Sequence, residues 1–349
     1  MLENYKKLQR KKNLIIIILL ILVLIMTILC LFVGSSNMSF IESIKAIFYS
    51  STPMNNRIMY NIRMPRALAC LIAGAGLSLS GLIMQSTLGN SMASPSTLGV
   101  SNAAVFGANL SMIVFAGGFI SSGNNINNYF NQANPFQTSF MAFIFSFLSI
   151  LLILGLCRIR SFSPNVVVLA GIAIGSIWQA GTTILQYFAT DVGIQASVVW
   201  SFGDLSRATY QTDLIMAIIV LLGFIFFYLS SWKYNAILCG DNQAISLGVN
   251  VKLLRFLSLL ISSLITASCV SFLGIIGFVG IICPHITKKI IGANHKYTIP
   301  ASLLTGSLLL LTADTVAKLI GHGSALPVGA ITSIIGAPFF LYIIFRRER

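Results

Sequence analysis

Acidic side chains are scarce in this sequence. Only eight Asp and Glu stand against 22 Lys and Arg, and charged residues of both signs make up 9% of 349. A soluble domain carries about 25% charged residues. With 56% of the chain hydrophobic, there is more apolar surface than a soluble core of this size can hide. The excess must face bilayer hydrocarbon, which accepts apolar side chains and rejects charge.

The shortage of acids also argues against a mechanism. Carriers and pumps coupled to an ion gradient need ionisable groups near the bilayer centre. Glu3, Glu42, Asp191, Asp204, Asp213, Asp241 and Glu348 fall in loops or near the ends of apolar segments, and only Asp314 lies well inside one. Lys318 follows one helical turn later on the same face, so the two partly neutralise each other. They form a structural ion pair or a functional one. In neither case is a proton relay visible, and the energy for transport must come from elsewhere.

Other absences narrow the chemistry. No G-x-x-x-x-G-K-[ST] is present, so the chain binds no ATP through a P-loop. His285, His295 and His322 are too scattered to make a metal-ligand pattern, and no nucleophile elbow appears. None of the six cysteines (Cys30, Cys70, Cys157, Cys239, Cys269 and Cys283) forms a CxxC pair. They read as small buried apolar residues rather than disulfides or metal ligands. A catalytic role has little support.

What the sequence does hold is apolar runs. A spanning helix needs about 20 mostly apolar residues. Ten segments qualify: 14–33, 66–86, 97–119, 138–157, 165–188, 211–231, 255–274, 276–293, 299–319 and 327–345. With no water partner in lipid, their backbones must be helical. The first run follows a basic stretch, as in a signal peptide. It is long enough to span and no A-x-A-like cleavage site follows closely, so it is expected to stay as a helix. The expectation is an all-α, polytopic membrane protein of about ten transmembrane helices.

The net charge of +14 does not indicate nucleic acid. Basic residues sit in short clusters between apolar runs, the pattern of a topology signal. Sixteen of the 22 Lys and Arg lie on the side that holds both ends, in clusters at 6–12, 158–160, 233, 252–255, 288–296 and 346–349. Lys45, Arg57, Arg63, Arg66, Arg207 and Lys318 lie on the other. Cytoplasmic loops carry the excess, so both termini are cytoplasmic.

One joint is tight. Only 32 residues separate Arg255 from Lys288, and both flanks are cytoplasmic by charge. Two full crossings want about 40. One helix must be short or continue past the membrane into its basic end, and Gly274, Gly277 and Gly280 mark the turn or break. Broken helices are tolerated where protein covers them or water reaches them. Gly171 and Gly175 form a GxxxG, and Gly74, Gly76 and Gly81 crowd the second segment. Such small residues let helices approach closely; packing within one subunit is expected, with a dimer interface as the alternative. The Asn-rich stretch 121–135 is expected to be an outer loop.

Several stretches carry a resemblance. Residues 61–108 read NIRMPRALACLIAGAGLSLSGLIMQSTLGNSMASPSTLGVSNAAVFGA. Later come GDNQAISLGVNV (240–251), GIIGFVGIICPHITKKIIGANHKYTIPASLLTG (274–306), ADTVAKL (313–319) and LPVGAITSIIGAPFFLYII (326–344). Together, in this order, they closely resemble the FecCD-type permease family of ATP-binding-cassette importers for iron chelates, haem and vitamin B12. The resemblance runs from about 57 to the end.

It implies one transmembrane permease domain over 1–349, with a cytoplasmic tail at 1–13. It also implies a multi-pass location in the cell membrane and a second permease subunit, identical or paralogous. Two ATPase subunits would bind ATP and Mg, leaving this chain without a cofactor, and a substrate-binding protein would dock outside. In the family, the R-x-P-R before the second helix and a basic residue of the ninth receive carboxylates of the binding protein. Here those are Arg63, Arg66 and Lys318, the last a Lys where Arg is usual. The cytoplasmic loop 232–254 would hold short helices that fit the ATPase, with Ala244, Leu247, Gly248 and Val249 in contact.

Residues 161–188 and 191–207 match the region that lines and gates the pathway, which draws in Ser163. Gln179 and Gln186 lie seven apart on one helix face. They either line the cavity or make interhelical hydrogen bonds. The loop 86–96 is the other inner gate, with Asn90 and Ser91. There the chain reads Gly89-Asn90-Ser91-Met92-Ala93 where the family reads R-N-P-L-A, so the gate has lost a charge and a rigid turn. The function expected is inward movement of an iron chelate, haem or cobalamin-like molecule, with no bond chemistry in this chain. An ion-gradient carrier and a membrane receptor or scaffold are the alternatives.

Overall fold

The computed structural model describes residues 2–34, 42, 45–46, 52–118, 134–159, 164–321 and 326–346. Among them every regular element is helical. The first is α1, Leu2–Phe32. It is followed by α2, Pro53–Thr87, and α3, Val100–Phe115. Next come α4, Pro135–Ile159, α5, Pro164–Tyr187, and α6, Asp191–Ser201. Then α7 spans Tyr210–Leu229, α8 Ser231–Leu238, and α9 Asp241–Ser246. The last four are α10, Val251–Leu273, α11, Val279–Ile291, α12, His295–Ile320, and α13, Val328–Arg346.

Seven of these are long and apolar enough to cross a membrane, and α3 and α13 are shorter apolar helices. With α11, all ten expected segments are matched. The tight joint resolves as the first of the two alternatives, a short helix. Helix α10 is full length, Gly274 leaves it at φ 78°, and α11 has only 13 residues. At 1.5 Å per residue that is about 20 Å, short of the roughly 30 Å hydrocarbon core. Phe278 enters α11 at φ 65°, a left-handed conformation costly for a bulky side chain.

The first helix starts earlier than its apolar run. It has 31 residues, about 46 Å, and the surplus is the basic end at 6–12. Its flanks expose Leu14, Ile17, Ile21, Leu24 and Ile28, a face suited to lipid. Second, Arg63 and Arg66 were expected before the second helix and instead lie inside α2. A π-helical turn, Met59–Arg63, joins two α-helical stretches there. The Met64 N–H reaches back five residues to the Met59 carbonyl. A proline ring clashes with the carbonyl four residues back, and a wider turn relieves that clash. Pro65 sits directly after the turn, so the helix passes through it unbroken.

The chain packs as two compact units. The first contains Met1–Leu82, Leu205–Asn235 and Gly277–Arg349. In it α1 and α12 run parallel: Lys12 lies 5.3 Å over the Tyr297 ring, and at the far end Lys318 Nζ is 3.1 Å from the Cys30 carbonyl. Helix α2 runs antiparallel to α12, with Ser78 against Ser302 at 2.7 Å and Ser307 donating to the Leu71 carbonyl at 2.7 Å. Alternating crossings require this: the first and ninth spans share a direction and the second opposes them.

The second unit contains Ile83–Asp204 and Ala236–Ile276. Its core gathers Met84, Leu98, Ile150, Ile153, Val167 and Leu259. Helix α4 opposes α3, with Ser146 on the Val100 carbonyl and Ser111 against Thr138. Helices α3 and α5 run parallel: Asn102 donates to the Gly175 carbonyl, and further along Gln186 donates to Asn109. The GxxxG of α5 packs inside the subunit, as expected. Gly99 has φ 74°, and a Cβ on it would lie 2.8 Å from the Gly175 Cα and 2.9 Å from the Gly171 carbonyl oxygen.

Candidate functional site

The docking candidates lie in the first unit. Arg66 places Nε 2.8 Å and Nη2 2.7 Å from Asp314 Oδ1, and Lys318 places Nζ 2.8 Å from Oδ2. Asp314 is fully buried, and both cationic side chains are under 10% exposed. The pair at 314 and 318 seen in the sequence is thus a triad, whose third member comes from α2. A buried carboxylate can hold its charge only when paired and hydrogen-bonded. Arg63 sits apart from it. Its Nη1 donates to the Leu31 carbonyl at 2.9 Å and the Phe32 carbonyl at 3.3 Å. The last carbonyls of a helix lack helical partners, and a cation there is favoured by the dipole. So Arg63 caps α1 while Arg66 and Lys318 converge on Asp314, and all three are buried in this chain.

Cys30 takes part in the same cluster. Its thiol donates to Asp314 Oδ2 at 3.3 Å and accepts from Lys318 Nζ at 3.3 Å. Ligand atoms of Cys30, Cys70 and Asp314 lie within 4.8 Å of one another. The Lys318 ammonium spends its donors on Asp314, the Cys30 sulfur and the Cys30 carbonyl, so a side-chain cation already serves this group. Cys30 and Cys70 are buried as expected, but Cys30 is more than apolar filling. Only tertiary contact reveals that, since 30, 70 and 314 have no sequence pattern in common.

The coupling candidates lie in the second unit. The stretch 232–254 folds as α8, α9 and the start of α10. Ala244 and Val249 are buried, whereas Leu247 and Gly248 are exposed. The sequence reading put all four on one contact surface; the fold turns two of them inward. Val249 N–H closes on the Ala244 carbonyl at 3.0 Å, which seals that turn. The apolar residues that α9 and its C-cap expose are Ile245, 58% exposed, and the C-cap Leu247, 65%. Ile245 was missed in the sequence because a six-residue helix is too short to show a periodicity.

Behind α9 stands Arg255. It is 8% exposed, its Nη2 is 2.9 Å from Asp241 Oδ1, and its Nε donates to the Thr87 carbonyl at 2.9 Å. Thr87 ends α2, where the inner-gate candidate begins. In that loop Asn90 and Ser91 are half-buried. Asn90 Oδ1 accepts from the Met92 N–H at 2.9 Å, and the Asn90 N–H reaches the Gln85 carbonyl at 3.2 Å. Asn90 is therefore an Asx-turn residue that shapes the loop.

The pathway candidates separate. Gln186 Nε2 donates to Ser197 Oγ at 2.9 Å and Asn109 Oδ1 at 3.3 Å, and the Ser197 hydroxyl also donates to Asn109. It ties α5 to α3 and α6. Gln179 is exposed, as are Ser176 and Thr183 on the same helix. Both hydroxyls bond to carbonyls of their own helix, Ser176 to Ile172 and Thr183 to Gln179. Of the two uses open to the glutamines, Gln186 makes interhelical bonds and Gln179 does not. Ser163 lies outside the described residues.

Comparison with known proteins agrees with this architecture. The model of the FecCD transport family matches residues 20–346. An ABC transporter permease protein of Methanocaldococcus jannaschii is 41% identical over 345 residues, covering 99% of this chain and 97% of the relative. The hemin transport system permease protein HmuU of Yersinia pestis is 32% identical over 328 residues, covering 93% and 94%. A metal-chelate type ABC transporter solved in an inward-facing conformation superposes with a TM-score of 0.80 at 26% identity, covering 96% of this chain and 99% of that one.

Proposed function

Because the chain belongs to the FecCD transport family, as a multi-pass permease of the ABC importer type, we propose that it moves an iron chelate, haem or a cobalamin-like molecule across the cell membrane into the cytoplasm. Two ATPase subunits bind the ATP and Mg that drive it, so this chain needs no cofactor and performs no bond chemistry. A second permease subunit completes the pathway, and an extracytoplasmic binding protein delivers the cargo.

One observation carries this reading most directly. A match over nearly the whole chain comes with a short helix, α9, that exposes Ile245 and Leu247. Apolar side chains presented on a cytoplasmic loop suit a protein partner rather than water. The exposed polar residues Ser176, Gln179 and Thr183 of α5 suit an aqueous pathway better than lipid. Asn90 and Ser91 shape the inner gate, and Gln186 steadies its outer end. Arg63 and Arg66 lie in the outer half of α2 and Lys318 in the last turn of α12, on the side where carboxylates of the binding protein would arrive.

Reconstitution with its ATPase and binding protein tests the proposal. Liposomes loaded with ATP should accumulate one of haemin, a ferric siderophore or cobalamin. Uptake that needs no ATPase and collapses with an uncoupler would replace it by an ion-coupled carrier. No flux of any cargo would leave a receptor or scaffold.

A further inference from the structure

Arg255 joins three things that lie far apart in the sequence. Asp241 is the first residue of α9, the helix with the exposed Ile245 and Leu247. Thr87 is the last residue of α2. The third is Arg255 itself, in the second turn of α10, capped by Asn250. Its guanidinium contacts Asp241 and the Thr87 carbonyl at 2.9 Å each. Both donors belong to one rigid planar group. Hydrogen bonds weaken steeply outside a narrow range of distance and angle. Asp241 therefore cannot shift by an ångström or two unless Thr87 follows or a bond breaks.

The burial is asymmetric in a useful way. The Arg255 side chain is 10% exposed, whereas the Asp241 side chain is 45% exposed. One end of the link is held in the protein, and the other stands where a partner on α9 would meet it. The Thr87 carbonyl belongs to the last turn of a helix, where carbonyls lack helical partners and favour a cation. Beyond Thr87 the loop is braced at its other end, where Gly99 sits against Gly171 and Gly175 of α5. A pull on Thr87 is thus taken up by residues 88–98, and the Asn90 turn is their first bend.

We propose that Arg255 is a positioning residue that transmits displacement of α9 to the inner end of α2 and the loop 88–98. This rests on the importer reading given above, and it names a part that the reading lacks: the connection between the ATPase-facing helix and the inner gate. A plain structural cap on α2 would need only the Thr87 bond. The Asp241 bond adds the dependence on α9.

A spin label at Ser91→Cys, with the exposed Cys239 changed to Ser, reports on the loop directly. With the ATPase bound, ATP should change the label's spectrum in the parent protein. Arg255→Lys keeps the charge but offers no fork, and Arg255→Gln removes both. In each the ATPase still co-purifies, while the ATP-induced spectral change and the cargo moved per ATP fall about tenfold, as for loss of one charge-assisted hydrogen bond. Asp241→Asn should give the same loss, and the Arg255→Gln, Asp241→Asn double variant should be no worse than Arg255→Gln alone. A label that responds normally in Arg255→Gln, a double variant whose losses add, or a parent label blind to ATP would each overturn the link. If the parent label responds and no cargo moves, the link stands and the importer reading fails.

Discussion

Arg66 of α2 and Asp314 of α12 meet 2.7 Å apart with almost no solvent around them, 248 residues apart in sequence. Lys318 holds the other oxygen of the same carboxylate. The residues best suited by sequence to meet an outside partner thus fasten α2 to α12. Lys318 lies in the last turn of α12 and Arg66 within α2, so one cluster would serve both stability and the proposed docking.

Asp314→Asn should destabilise the protein by on the order of 3 kcal/mol, since it leaves the cations that contacted the carboxylate without its charge. Lys318→Gln, which keeps the Arg66 pair, should cost clearly less. Thermal unfolding in mild detergent compares them, and equal midpoints would mean the triad is not held by Asp314.

Lys318→Gln should also weaken binding of the extracytoplasmic partner and flatten its dependence on salt, because the buried cluster of Arg66, Lys318 and Asp314 then loses its net positive charge and with it a screened long-range attraction for carboxylates. Binding titrations at low and high ionic strength measure this. An unchanged salt slope would remove Lys318 from the docking set.

Ile245→Glu and Leu247→Glu should abolish co-purification of the ATPase while leaving the unfolding free energy within about 0.5 kcal/mol of the parent, the usual range for exposed sites. Ala244→Glu, at a buried position, should instead lower the yield of folded protein. If all three behave alike, α9 is not divided into an inner and an outer face.

Gln186→Leu should cost about 1–2 kcal/mol by leaving polar groups of α3 and α6 short of a partner. Gln179→Leu should leave stability unchanged and alter only transport. Paired unfolding and uptake assays separate the two, and a stability loss at Gln179 would contradict its exposed placement.

Gly99→Ala should destabilise by more than the roughly 1 kcal/mol of a left-handed alanine, because its methyl would press on α5. Gly89, which has φ 58° and nothing within 4 Å of an added Cβ, should tolerate Ala at about that smaller cost. Their unfolding midpoints should differ in that order.

Much of this protein is legible along the chain. Lipid imposes long apolar runs and sorts basic residues by side, so ten helices and their orientation followed from residue type and spacing. The tight joint was also foreseen, because two full crossings could not share the residues between Arg255 and Lys288, though not that α11 would be the short helix. Motif order pointed to the family. What spacing cannot carry is which side chains meet. Gln179 and Gln186 share a helix face, yet one is exposed and the other bonds α3 and α6. Ala244 and Leu247 are three residues apart, yet one is buried and one is 65% exposed.

The scarcity of acids now has a sharper meaning. From sequence it left no proton relay visible and sent the search for energy outside the chain. Composition determined that much, because bilayer hydrocarbon penalises every unpaired charge and so limits how many a chain can carry. Tertiary structure decided how the few acids are used. Asp314 fastens α2 to α12 through Arg66 and Lys318, and Asp241 links α9 to α10 through Arg255. Such pairings depend on contacts between residues distant in sequence, and those exist only once the helices have packed.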